Sequence, residues 1–149
     1  MDIVDIIKKQ HQDIRALIQQ TCGKEEYDTE ERKQIIQLIL TKLRVHAMIE
    51  EMVLFPRMEE RPTARSAALE AWEYHTVATN IAKGLVQLSP ADELWIPRWR
   101  VVKGVILIHI DAEENRVLSS LQKTFTQEER EDMGREFIRA ENAATEKKK

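Results

Sequence analysis

Glycine and proline are scarce, four of each in 149 residues, and β-branched runs are short. That balance excludes a sheet-rich fold built on frequent tight turns and leans helical. A single cysteine, Cys22, excludes an internal disulfide and a thiolate metal cluster, and suits a reducing compartment. Strong charge of one sign is also missing. A net charge of −3 offers no field to hold a nucleic-acid backbone, and Lys147 to Lys149 reads as the end of a fraying helix. The longest apolar run, around Val105 to Ile108, is too short to span a bilayer. The start, Met1-Asp2-Ile3-Val4-Asp5, is acidic, without the basic-then-apolar order of a secretion signal. The expectation is a soluble, cytoplasmic protein with neither nucleic-acid nor membrane partners.

What the sequence does contain is helical periodicity. Ile3, Ile7, His11, Ile14 and Ile18 share one face of a first helix over about residues 2 to 21, closed by Cys22-Gly23. Asp28 and Glu31 form a capping box for a second helix. Its stripe is Ile36, Ile39, Leu43, His46, Glu50 and Val53, and Pro56 bends or stops it near its end. Thr63, after Arg61-Pro62, is the expected cap of a third helix presenting Ala68, Trp72, His75, Ala82 and Leu85 or Val86. Ser89-Pro90 reads as a restart, although Pro97 lets the main fourth helix begin only near it. Its stripe is Trp99, Val102, Ile106, His109, Glu113 and Val117. Thr126 to Glu129 is a second capping box, opening a polar helix with Met133, Phe137 and Ile138 on one side and a tail that frays from about Glu141. The predicted fold is all-α: an up-down-up-down four-helix bundle over residues 1–124, then a C-terminal helix and tail over residues 125–149.

All four histidines fall on these inward stripes, one per long helix: His11, His46, His75 and His109. Two are followed one turn later by a carboxylate, giving His46-x-x-x-Glu50 and His109-x-x-x-Glu113. Residues four apart share a helix face, ~6 Å apart along the axis, so both side chains can converge inside the bundle. A lone histidine on an apolar face is ordinarily a core residue bonded to a carbonyl. Two inward carboxylates with a histidine on every helix are poorly explained that way, because a buried unpaired carboxylate costs several kcal/mol. No Lys or Arg stands near Glu50 or Glu113 on the stripes to neutralise them, whereas a pair of dications would.

The pattern also repeats. His11 and His75 stand 64 positions apart and His46 and His109 stand 63 apart, so each half supplies a His helix followed by a His-x-x-x-Glu helix around a pseudo-two-fold axis. Imidazole and carboxylate without thiolate suit iron, manganese or zinc. Six side chains divide naturally between two metals, with Glu50 and Glu113 bridging and two imidazoles each. An oxo or hydroxo bridge from solvent would make five donors and leave an exchangeable position, which on redox-active iron would admit small oxidants; two irons are the expected cofactor, ahead of manganese or zinc. His11, His46, Glu50, His75, His109 and Glu113 are therefore the candidate metal ligands. Glu51 and Glu114 lie about 100° round the helix from the bridges, as solvated or supporting groups. Tyr74 reads as rim or core packing, and Trp72 as packing or as a wall of the site. Asp111 and Arg116 read as surface charge, and Cys22 as a core residue at a helix end.

These residues resemble the hemerythrin-like HHE cation-binding domain family over about residues 5 to 123. The family's H…HxxxE…H…HxxxE pattern is met by the six residues just named. Its HxxxEExxLFP string runs intact from His46 to Pro56, while the matching stretch from His109 to Leu118 lacks the Phe-Pro. The resemblance implies a left-handed four-helix bundle with a carboxylate-bridged di-iron centre, reactive toward dioxygen, peroxide or nitric oxide. Oxygen-carrying members have two histidines one turn apart on the third helix. Here the positions a turn from His75 hold Ala71 and Thr79, so four imidazoles are expected instead of five, and oxygen is expected to be held poorly. Ferritin-like proteins use the reverse order, Glu-x-x-His, and the His-Glu-x-x-His of zinc peptidases is absent. The expected function is oxidant binding or sensing at two irons. The alternatives are a peroxide- or nitric-oxide-consuming enzyme and an iron-responsive interaction module.

Overall fold

The computed structural model describes residues 1–20 and 29–146. Cys22-Gly23, the Asp28 half of the first capping box, and Lys147 to Lys149 lie outside the described residues. Among the described residues there is no strand, and no helix is long and apolar enough to cross a membrane.

Four rods make the bundle. The first is α1, Ile3–Gln20, and the third is α4, Pro62–Val86. The second and fourth are each interrupted by a π-helical turn. α2 (Thr29–Ile49) passes through π1 (Glu50–Leu54) into α3 (Phe55–Glu59), and α5 (Trp95–Ala112) passes through π2 (Glu113–Val117) into α6 (Leu118–Thr124). A fifth helix, α7 (Gln127–Glu146), packs against α1 and α2. The architecture is the predicted four-helix bundle with an added C-terminal helix.

The stripes read from the sequence mostly face inward, but Leu43, Trp72 and Ala82 are half-buried, Ile138 is exposed beside the buried Phe137, and one stripe changes register. Val53 was expected inside, but it is half-buried, and Leu54 and Phe55 are enclosed instead. The π turn adds a residue between Glu50 and the next α turn and so rotates everything after it. The same wide turn makes room for the ring of Pro56, and the helix runs on to Glu59. In α4 the choice between Leu85 and Val86 falls to Leu85, 1% exposed against 69%.

Two helix starts and one helix end need correction, while the fourth rod does begin near Pro97, the other expected start. Thr63 is not the cap of α4. The extended residue before the helix is Arg61 and Pro62 takes the first turn, where its missing N–H costs nothing, while the Thr63 hydroxyl meets that of Thr124 at 2.8 Å. Ser89-Pro90 does not start a helix. Ser89 Oγ accepts from the Ala91 amide at 3.3 Å and Asp92 Oδ1 from the Leu94 amide at 2.8 Å, so two side-chain-bonded turns precede α5, which starts at Trp95 with Pro97 in its first turn. The tail does not fray from Glu141. α7 continues to Glu146, and Thr145 Oγ1 donates to the Glu141 carbonyl at 2.9 Å. The Thr126 capping box forms as expected: Thr126 Oγ1 accepts from the Glu129 amide at 3.2 Å, and Glu129 accepts from the Thr126 amide at 2.9 Å.

α7 is docked through Met133 and Phe137, both buried, and through Gly134. A Cβ on Gly134 would stand 2.1 Å from the Met1 carbonyl oxygen, so glycine is what lets this helix cross the chain start so closely. Arg130 Nε donates to Asp2 at 2.8 Å beside that crossing.

The apolar core is in two pieces. One, including Ile3, Ile7, Leu54, Phe55, Leu121 and Phe137, fills one end of the bundle. The other, including Ile14, Ile39, Leu85, Trp99 and Ile106, fills the opposite end. Between them lies a layer of buried polar side chains: His11, His46, Glu50, His75, His109 and Glu113.

Candidate metal centre

Each rod delivers one imidazole to this layer, because each histidine interrupts an apolar stripe at the same height. His11 sits between Ile7 and Ile14, His46 between Ile39 and Ile49, and His109 between Ile106 and Val117. The two glutamates are the first residues of π1 and π2. The Phe55 amide bonds back to the Glu50 carbonyl and the Leu118 amide to the Glu113 carbonyl, the i→i+5 bonds of a π turn. Isolated π turns are uncommon and cluster at functional sites. Nothing in the His-x-x-x-Glu spacing announces them.

The six side chains converge. His46 Nε2 stands 2.8 Å from Glu50 Oε1 and 3.2 Å from His11 Nε2, and His11 Nε2 stands 3.2 Å from Glu113 Oε1. Across the layer, His75 Nε2 is 3.3 Å from Glu50 Oε2, and His109 Nε2 is 3.2 Å from Glu113 Oε2. Each carboxylate thus turns one oxygen to the His11–His46 pair and the other to the His75–His109 pair. Two donor sets result, each with its ligand atoms within 4.8 Å of one another: His11, His46, Glu50 and Glu113, and Glu50, His75, His109 and Glu113.

These donors fit metal ions better than they fit one another. Both oxygens of Glu50 and of Glu113, Nε2 of His75 and both nitrogens of His109 are buried without a hydrogen-bond partner among the described residues. A dry carboxylate with no donor costs several kcal/mol, and two facing each other cost more. A cation in each donor set removes that cost, so the site satisfies the chemistry of a metal pair.

Without metal, protons take part of that role. Burial works against charge on His46 and His75, but the Glu50 and Glu113 carboxylates outweigh it and raise both imidazoles to about 10. Burial would raise the Glu113 carboxyl, but contacts with Glu50, His109, His11 and His46 hold it well below its usual value. Raised imidazoles contribute stability that is complete below their unfolded value of 6.5 and is lost as pH climbs through about 10. Metal-free protein is therefore expected to lose unfolding free energy between those limits. Loaded protein, whose imidazoles carry no such proton, should stay level. Denaturant titrations at three pH values across that range check it, and parallel profiles with and without metal would contradict it.

The outer nitrogens of three imidazoles are held by neighbours. His75 Nδ1 donates to Glu51 and His11 Nδ1 to Glu114, each at 3.1 Å. Glu51 and Glu114 are thus supporting groups, each reaching a histidine on an adjacent rod. Arg15 clamps Glu114 at 2.9 Å and Asp111 at 2.8 Å, which ties down a residue read as plain surface charge. Arg116 does sit on the surface, paired with Glu70 at 2.9 Å. His46 Nδ1 donates to Gln10 Oε1 at 2.5 Å. Gln10 and Arg15 were not singled out in the sequence, although each lies within a turn of His11.

Trp72 does not wall the site. It packs on Phe55, ring centres 5.6 Å apart, and donates to Glu59 at 3.0 Å, while Phe55 is the aromatic beside His75, at 5.2 Å. Tyr74 lies against the ring of His109 at 5.8 Å. Ala71 is buried, lining with His109 and Glu113 a cavity of only about 10 Å³. Thr79 is exposed, in a groove of about 480 Å³ that reaches His75 and His109.

Comparison with known proteins points to a cation-binding family and to the same fold. The sequence profile described as Hemerythrin HHE cation binding domain matches residues 2–121. The fold is similar to a crystal structure of a hemerythrin HHE cation binding domain-containing protein from Mycobacterium kansasii. Identity is 20% and the TM-score 0.80, over 99% of this chain and 91% of that one. The comparison with curated proteins gives no match.

Proposed function

Because this chain belongs to the hemerythrin HHE cation binding domain family, we propose that it is a non-haem di-iron protein that reacts with dioxygen, peroxide or nitric oxide. The observation that carries the reading is the two-sided placement of Glu50 and Glu113, one oxygen of each toward each imidazole pair. His11 and His46 would hold one ion and His75 and His109 the other, with both carboxylates shared. Nitrogen and oxygen donors without sulfur suit iron, manganese or zinc. Four protein donors close a tetrahedral zinc site but leave positions open on an ion that takes six, which favours iron or manganese over zinc, and reaction with dioxygen, peroxide or nitric oxide selects iron.

Iron held this way supplies one-electron redox chemistry toward small oxidants. The chain itself holds and orients. Glu51, Glu114 and Gln10 keep three protons on outer Nδ1 atoms, so the Nε2 lone pairs face inward. Phe55 and the two apolar clusters keep bulk water from the layer. The groove past Thr79 and Glu51 gives a small molecule a path to His75 and His109.

Protein made in iron-replete medium is expected to carry two irons per chain and to absorb in the near ultraviolet. Metal analysis with an optical spectrum tests this. A folded, colourless protein that takes up no iron during anaerobic ferrous loading removes the reading.

A further inference from the structure

Three of the four imidazoles have an acceptor behind them. His109 Nδ1 is buried and, among the described residues, has none. Of the three acceptors, two are carboxylates, Glu51 and Glu114, and the third is the amide of Gln10. An amide has a donor end and an acceptor end, so something must decide which end faces His46. That group comes from α7: Gln10 Nε2 donates to Glu141 Oε2. A carboxylate only accepts, so Glu141 bonds the NH₂ end and turns the Gln10 oxygen to His46. That oxygen also only accepts. The His46 proton is then fixed on Nδ1 and the lone pair on Nε2, which faces His11, Glu50 and Glu113.

The other half of the bundle lacks this chain of bonds. The internal repeat relates His11 to His75, and so relates Gln10, the residue before the one, to Tyr74, the residue before the other. Tyr74 lays its ring against His109 at 5.8 Å and gives Nδ1 no acceptor. α7 packs against α1, α2 and π1 and comes after both repeats; among the described residues no second helix covers the α4–α5 side in the same way.

Building on the proposed metal ligands, we propose that Glu141 is a positioning residue which, through Gln10, sets His46 and makes the His11–His46 position the tighter of the two metal sites. The His75–His109 position, with one imidazole unsupported, binds more weakly and loses its ion first. The C-terminal helix is then part of the metal site although it supplies no ligand, and its docking tunes one ion and not the other.

Anaerobic titration with ferrous iron against a competing chelator reads two binding constants. Wild type is expected to show two that differ. Glu141→Ala should weaken the tighter one ~10–100-fold and leave the weaker one in place, the usual effect of removing a group that orients a ligand. The exchange of Gln10→Glu with Glu141→Gln puts a carboxylate against His46 and an amide behind it, and should restore the tighter constant. A purely structural role for Glu141 would move both constants together and would not be rescued by the exchange. Two unequal wild-type constants left unchanged by Glu141→Ala, or an exchange no better than Glu141→Ala, overturn the proposal while the di-iron reading stands. Wild type that takes up no iron at all overturns both.

Discussion

Glu50→Ala is expected to leave at most one iron per chain, whereas Glu51→Ala should leave two. The two residues are neighbours in sequence and do different work. Glu50 is fully buried, with Oε1 2.8 Å from His46 Nε2 and Oε2 3.3 Å from His75 Nε2, so its loss removes an oxygen from both donor sets at once. It also removes half of the buried negative charge that two cations would balance. Glu51 meets the outer nitrogen of His75, at 3.1 Å, and supplies no oxygen to either donor set, so its loss should weaken one site by ~10–100-fold without emptying the pair. Glu113→Ala and Glu114→Ala should repeat the contrast, since the same relation holds between Glu113 and the imidazoles and between Glu114 and His11. Metal analysis and optical spectra on the four variants, with circular dichroism to confirm folding, decide it. Equal metal content for Glu50→Ala and Glu51→Ala would show that the shared carboxylates had been misassigned.

Reduced, iron-loaded protein is expected to consume dioxygen on mixing and to return none on degassing. The reason lies on α4, where neither position a turn from His75 supplies a nitrogen. Ala71 is enclosed beside His109 and Glu113, and Thr79 is exposed in the groove that ends at His75 and His109. A position that an imidazole would block is left open to solvent or oxidant, which favours turnover over storage. Thr79→His, which has room in the groove, should prolong any oxygenated state by filling that position. Ala71→His is the poorer test, because a cavity of about 10 Å³ cannot take a ring and overpacking costs about 1–3 kcal/mol. Stopped-flow mixing of the anaerobic ferrous protein with dioxygen, then with peroxide, follows the result. If wild type holds oxygen for hours and releases it on degassing, the protein is a carrier and this reading fails.

The sequence alone determined that the chain is helical and that these six polar side chains lie on inward stripes. Burial stripes depend on spacing within one helix, and the stripes from Ile3 to Ile18 and from Trp99 to Val117 are enclosed as spaced. A histidine on such a stripe must be answered by something inside the bundle, and four of them with two carboxylates on related stripes left few answers besides metal. The capping box at Thr126 was legible for the same reason: both partners lie within one turn.

What only the tertiary structure decided was everything that depends on a neighbour from another helix. The π turns at Glu50 and Glu113 carry no residue signature, because the gain that stabilises a widened turn comes from where the carboxylate ends up, not from local propensity. Val53 and Leu54 exchange roles through that rotation, and the starts of α4 and α5 followed proline geometry and turn bonding over the cap expected at Thr63 and the restart expected at Ser89-Pro90. The support of His11 by Glu114, of His75 by Glu51 and of His46 by Gln10 joins residues between 24 and 103 positions apart. Glu141, 131 positions from Gln10, reads in the sequence as part of a polar tail. Periodicity reports which way a side chain points from its own helix; which atoms it meets there is set by how the helices pack.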